Sequence, residues 1–221
     1  MSGTPTPLLA LFDLDGTITR HNTLAPYAIG LLLRHPARMP RVLSVLPALA
    51  RFVLGRCDHG ELKAAFIHNT FGGLERRDLE SWTAQFVPRL LRKGLFADAR
   101  AAIERHRLHG DTLALLSASI DLYVPAIGKA LGFADIECTG VAWDNTHLIG
   151  TLSTANRRGE EKVRCLEALR ARHPGLSVVA YGNAASDLPH LRLAERGVLV
   201  NGSRAAVRQA AGMAVSCVTW R

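Results

Sequence analysis

Between Arg20 and Arg56 the chain has no acidic residue, although Arg34, Arg38, Arg41 and Arg51 lie in that interval. Over residues 20–93 twelve Lys/Arg stand against five Asp/Glu, a surplus of seven, which leaves +1 of the net +8 for everything else. A surface so short of negative charge implies that this third of the chain faces something anionic. Aromatics make up only 6% of the residues, and the basic residues alternate with Leu and Pro. With no recognition motif present, nucleic acid is a poor candidate for that partner. The four cysteines, Cys57, Cys138, Cys165 and Cys217, are far apart and form no C-x-x-C pair. This argues against a zinc site or a disulfide framework and for free thiols in a reducing, cytoplasmic setting. The apolar run near the start has no basic stretch ahead of it, so it does not read as a signal peptide. No uncharged apolar run reaches the ~18 residues of a spanning helix.

The 221 residues, 48% hydrophobic and 21% charged, are ordinary for a globular chain with one or two domains. Residues 8–14 read as a short buried strand ended by Asp-Gly. Residues 24–93 read as helical throughout, with breaks at RHPARMPR and GRCDHGE. A helix over 98–110 ends at Gly110. Then follow a strand TLALLSAS, a helix, a hairpin over 136–153 turning at Asp144-Asn145, and further helices alternating with strands LSVVAYGN and GVLVN. Alternation of this kind predicts a parallel sheet covered on both faces. The helical block over 24–93 interrupts it straight after the first strand and reads as an insertion. Ligands of open parallel sheets sit at the carboxyl ends of the strands, so the polar residues there are the ones that matter.

At the end of the first strand, in LLALFDLDGT, stand Asp13 and Asp15. Two carboxylates at i and i+2 of an extended segment point the same way and repel. One suits a nucleophile and the other a general acid/base for the leaving group. A hard, oxygen-binding cation such as Mg²⁺ would offset the repulsion. An Asx turn explains one of these aspartates but not both.

The D-x-D-G-T motif after an apolar strand, an apolar strand ending in Ser, a downstream Lys and a late G-x-x-x-x-D resemble, in that order, the haloacid dehalogenase superfamily. The helical insertion resembles its C1-capped group, which contains phosphoserine phosphatases and phosphatidylglycerophosphatase C. The resemblance covers nearly the whole chain. It implies an α/β fold, a doubly wound, Rossmann-like parallel sheet formed by residues 1–19 and 94–221, with a helical cap over 20–93. It implies phosphate-monoester hydrolysis, with Asp13 as nucleophile and Asp15 as acid/base. Thr17, Ser117 and Lys162 would hold the phosphoryl group, and Asp13, Asp15, Asn183 and Asp187 would hold Mg²⁺. The residues themselves leave alternatives open. Ser119 could supply the hydroxyl instead of Ser117, Lys162 could be a solvated helix residue, and Asp187 could be a helix cap.

Two departures from the family pattern matter. The family usually has Asp where Asn183 stands, so metal affinity should fall; a phosphate-binding protein of weak activity is the alternative. Phosphoserine phosphatases carry a Glu where this chain has Asn22 and a cap Arg near the position of Ala65, so phosphoserine is disfavoured as substrate. The apolar, Arg-rich stretch over 24–55 has two readings. It is either the buried core of the cap or an interfacial element whose Arg34, Arg38, Arg41, Arg51 and Arg56 meet anionic headgroups on the inner face of a membrane. The second reading, with the resemblance, points to a lipid or other hydrophobic phosphate ester; a small soluble phosphate is the alternative.

Overall fold

The computed structural model describes residues 6–221. After β1 (Leu8–Phe12) come four helices, α1 (Leu24–Arg34), α2 (Leu46–Val53), α3 (His59–Phe71) and α4 (Arg76–Lys93), and then α5 (Ala97–His109). Next are β2 (Thr112–Ile120), α6 (Val124–Ala130), β3 (Asp135–Thr139), β4 (Val141–Asp144) and β5 (His147–Leu152). The chain closes with α7 (Glu160–Arg172), β6 (Ser177–Gly182), α8 (Leu188–Leu193), β7 (Arg196–Val200), α9 (Arg204–Ala210) and β8 (Val215–Val218).

Six strands form one sheet in the order β3-β2-β1-β6-β7-β8, with every pairing parallel. Parallel strands need covered faces, and β1 shows how the sequence meets that need. Ala10 and Phe12 pack on one side with Ala99, Ala102 and Ile103 of α5. Leu9 and Leu11 pack on the other with Leu166 and Leu169 of α7 and with Leu191 of α8. The chain runs outward from β1 through β2 to β3, then returns to β6 on the other side of β1. The direction of winding therefore reverses between β1 and β6, where a doubly wound sheet leaves a crevice at its carboxyl edge.

One expectation is corrected. The stretch over 136–153 is not one hairpin: β3 joins the edge of the main sheet beside β2, and only β4 and β5 pair with each other. Their turn falls at Asn145-Thr146, with Asn145 at a φ of 49°, a conformation that Asn tolerates better than most residues. The break at RHPARMPR holds: α1 ends at Arg34, His35 leaves helical conformation, and Pro36–Val45 follow as a 3-10 helix with Pro at its start. The break at GRCDHGE holds as well. Asp58 accepts the Glu61 N–H at 2.8 Å while the Glu61 carboxylate accepts the Asp58 N–H at 2.9 Å, a capping box that starts α3.

The first helices are less buried than a core reading of 24–55 requires. Helix α1 buries Tyr27, Ala28 and Leu31 but leaves Ile29 and Leu33 exposed, and α2 has no fully buried residue, only Ala48 and Phe52 half-buried. Leu43, Leu46, Val53 and Leu54 all lie in solvent. Among the described residues no helix is long and apolar enough to cross a membrane.

Candidate active site

The crevice between β1 and β6 brings together the residues singled out from the sequence. Asp13 follows β1, anchored by its N–H to the Tyr181 carbonyl at 2.9 Å. Its carboxylate is buried. Oδ1 accepts from Lys162 Nζ at 2.7 Å, and Oδ2 accepts from the Thr17 hydroxyl at 3.2 Å. Lys162, in the first turn of α7, also donates to Asp187 Oδ1 at 2.7 Å. At 2% exposure Lys162 is no solvated helix residue. Asp187 spends its other oxygen on the N–H groups of Asn183 at 3.0 Å and Ala184 at 2.9 Å, so it closes the turn after β6 as well as pairing with Lys162.

Asp15 lies in the turn after β1 rather than on the strand. One oxygen accepts the Thr23 N–H at 2.7 Å and the other accepts the Ser119 hydroxyl at 2.5 Å. Ser117, buried at the end of β2, accepts the Ser119 N–H at 3.0 Å. The two serines thus divide the work: Ser119 orients Asp15 and Ser117 orients Ser119. Asp13, Asp15, Gly16, Lys162, Asn183 and Asp187 line one cavity of about 380 Å³, with Arg20 and Arg158 also on its wall.

Its electrostatics follow from one ammonium serving two buried carboxylates. Burial is the largest influence on Asp13; with the charges of Asp187 and Asp15 it outweighs Lys162 and pushes the carboxyl up to about 7. Asp187 is equally buried, but Lys162, His190 and a backbone N–H hold it down at about 2. The asymmetry has a plain cause: Asp187 accepts two backbone donors besides Lys162, whereas Asp13 adds only a long bond from Thr17. Burial opposes the charge on Lys162, yet the two carboxylates prevail and raise it. His190, buried with its Nδ1 unpaired, is pushed down to about 3 by burial and by Lys162.

The donor chemistry fits a hard divalent cation. Asp13, Asp15 and Asp187 outnumber Lys162, and the oxygens facing the cavity, including the Asn183 carboxamide, suit Mg²⁺. Among the described residues, no three His, Cys, Asp or Glu side chains form a ready-made cage. Carboxamide and main-chain oxygens would have to complete the set.

Sequence reasoning missed Lys63. It lies on α3, and its ammonium reaches the Ala118 carbonyl at 2.5 Å and the Asn156 side chain. Ala65, the position matched to a cap Arg, does not line the cavity, but a cation two residues earlier approaches it. No local signal in the sequence distinguishes Lys63 from a solvated helix lysine. Of the five arginines assigned to headgroups, Arg38 is instead tied to the Gly72 carbonyl at 2.7 Å, and Arg34 stacks over Trp82 at 4.9 Å.

Known proteins match the chain along most of its length. It is 31% identical over 202 residues to Protein CicA of Caulobacter vibrioides, covering 86% of this chain and 84% of that one. It is 29% identical over 210 residues to a Mycobacterium tuberculosis protein named Probable phosphatase Rv3661, covering 91% and 71%. A substrate-bound phosphoserine phosphatase structure superimposes with a TM-score of 0.69 at 16% identity, over 97% of this chain and 93% of that one, which speaks for the fold. The family model for haloacid dehalogenase-like hydrolases matches residues 10–192, and with the motif residues gathered in one crevice the chain belongs to that family.

Proposed function

We propose that the chain is a Mg²⁺-dependent phosphomonoesterase that works through an aspartyl-phosphate. The observation that carries this reading is the buried Lys162 ammonium, 2.7 Å from both Asp13 and Asp187, in a cavity that Asp15 also lines. In the first step an Asp13 oxygen bonds to phosphorus as the ester P–O bond breaks, and the departing alkoxide takes a proton from Asp15. In the second, Asp15 takes a proton from water, whose oxygen bonds to phosphorus and releases inorganic phosphate and the Asp13 carboxylate. Lys162 and Ser117 hold the phosphoryl oxygens, and Lys162 offsets charge as it builds. Thr17 holds Asp13 in line. Mg²⁺, held by Asp13, the Asp15 carbonyl, Asn183 and Asp187, would supply neutralisation of the phosphoryl charge and of the surplus carboxylate charge.

We assign residues 20–93 to a cap over a core formed by 1–19 and 94–221. The substrate we favour is a lipid or other hydrophobic phosphate monoester, met at the cytoplasmic face of an anionic membrane. Two features support this: the exposed apolar side chains of α2 and its approaches, and the lack of any acid between Arg20 and Arg56. Each basic residue near an anionic surface contributes about 1 kcal/mol. With Arg34 and Arg38 engaged elsewhere, Arg41, Arg51 and Arg56 carry that role, Arg51 beside Glu61 at 3.7 Å.

The test is phosphate release from p-nitrophenyl phosphate, glycerol phosphate, phosphoserine and detergent-dispersed phosphatidylglycerol phosphate, with and without Mg²⁺. Metal-dependent release, fastest on the lipid, is expected. Release from soluble esters alone would remove the membrane, and no release from any would leave a phosphate-binding protein.

A further inference from the structure

Beside the acid cavity lies a second one of about 370 Å³, enclosed by α1, the 3-10 stretch, α2 and α3. Leu24, Val45, Leu49, Leu62 and Phe66 supply most of its wall, so it is lined almost entirely by carbon. The two cavities adjoin: Asn22 lines both. Lys63 marks the same boundary. It lines the apolar cavity, and its ammonium bonds the carbonyl of Ala118, a residue on the wall of the acid cavity. An ammonium has three donors, and Ala118 and Asn156 take two. One N–H is left over at this boundary.

We propose that the apolar cavity is the leaving-group subsite, and that it takes the hydrocarbon part of a phosphate monoester of an apolar alcohol while Lys63 meets the ester end. This rests on the phosphatase reading above and adds to it where the alcohol lies and what chemistry selects it. A pocket of this size, apolar with a few polar groups at one end, is the usual form of a small-molecule site. Its polarity orients the occupant: carbon outward among Leu49 and Phe66, oxygen inward at Lys63. Water in such a groove has few partners, so a hydrocarbon chain displaces it favourably. The groove also continues into the exposed apolar face of α2, where Leu46 and Val53 lie in solvent. Burial lowers the Lys63 ammonium to about 8, as expected for a cation held partly out of water at this boundary.

The test is direct titration of the Mg²⁺-loaded protein with methylphosphonic and n-octylphosphonic acid, which cannot be hydrolysed. The octyl compound should bind at least tenfold tighter, the effect of burying about two methylenes. Leu49→Asn, at a position 44% exposed and therefore tolerant of change, should bring that ratio below about threefold. Ala25→Phe, which narrows the groove from its exposed rim, should do the same. Lys63→Met should weaken both phosphonates alike, because it faces their shared head. Equal affinities in the wild type, a ratio unmoved by both groove variants, or no binding of either compound would overturn the subsite; loss of the octyl compound alone in Lys63→Met would overturn the orientation. Phosphate release from methyl phosphate, measured alongside, reports on the phosphatase reading separately. Hydrolysis with no chain-length preference removes only the groove, and preferential octyl binding without hydrolysis removes only the phosphatase.

Discussion

Gly16 and Asn183 meet so closely across the crevice that a Cβ on Gly16 would lie 2.0 Å from the Asn183 side-chain nitrogen. Gly16 also has a φ of +79°, in the left-handed region that side chains disfavour. Gly16→Ala therefore meets strain and a clash at once. Where the backbone tolerates a side chain, Gly→Ala stabilises by about 0.4–1 kcal/mol; here the sign reverses, and the change should cost more than ~1 kcal/mol and displace Asn183. A lowered thermal midpoint together with weakened Mg²⁺ dependence of phosphate release is expected; a wild-type profile would mean that Asn183 can give way freely.

Asn183 is one of the two departures from the family pattern read in the sequence. Asn183→Asp adds a carboxylate to a cavity where three already face one lysine. The apo form should lose stability through repulsion, and added Mg²⁺ should restore more stability than it does in the wild type. Thermal melts across a Mg²⁺ series read this through linkage. An unchanged metal response would remove Asn183 from the ligand set.

Among the described residues, Lys162 is the one ammonium shared by Asp13 and Asp187. Lys162→Met leaves both carboxylates buried without it, and breaking a buried ion pair in this way costs about 3–5 kcal/mol. Urea denaturation should show a loss of that size, with phosphate release falling to background. A loss under 1 kcal/mol would show that water reaches the cluster.

Lys63 predicts opposite pH trends for activity and stability. Its ammonium is lowered to about 8 from the ordinary 10.5 by burial, with Arg158 and Lys162 adding to the effect. If it holds the substrate, kcat/KM falls as pH rises through 8, and Lys63→Arg moves that limb upward. In the same window the folded chain gives up its proton before the unfolded chain does. The unfolded chain then binds more protons, so stability rises from pH 8 towards 10.5. Lys63→Met should abolish that rise.

Asp111 fastens the start of β1 to the end of α5. It accepts the Leu8 N–H at 2.8 Å and pairs with His106 at 2.6 Å and His109 at 2.7 Å. Burial raises the carboxyl, but the two histidines and the Leu8 N–H outweigh it and hold the group below its ordinary value. The stabilisation is therefore present above the usual carboxylate range and is lost as pH falls through the depressed value. Asp111→Asn should cost about 1–3 kcal/mol at pH 7 and remove part of the acid sensitivity, as read by urea titration at several pH values. A variant with unchanged acid sensitivity would place that sensitivity elsewhere.

The parts of this architecture that depend on near neighbours in the chain were legible before any coordinates. Strand β1 shows in its continuous apolar run, α3 in the break at GRCDHGE before it, and α5 in its glycine stop. Asp13, Lys162 and Asp187 were found through motif order, and the crevice joins all three. What was misread involved long-range pairing. Asp135–Thr139 has the local look of a hairpin arm and becomes the sheet edge because β2 offers it a partner.

By itself the sequence determined the alternation of strands and helices, the Asp-Gly turn that ends the first strand, and the basic first third of the chain, free of acid between Arg20 and Arg56. These are matters of periodicity, glycine conformation and composition, which act over a few residues. Only the tertiary structure decided that Ser119 rather than Ser117 touches Asp15, across 104 positions, and that Lys63 meets Asn156, across 93. It likewise decided that α2 stays exposed. Which donor reaches which acceptor, and which apolar face finds a cover, depends on how distant segments pack, and no local pattern encodes that.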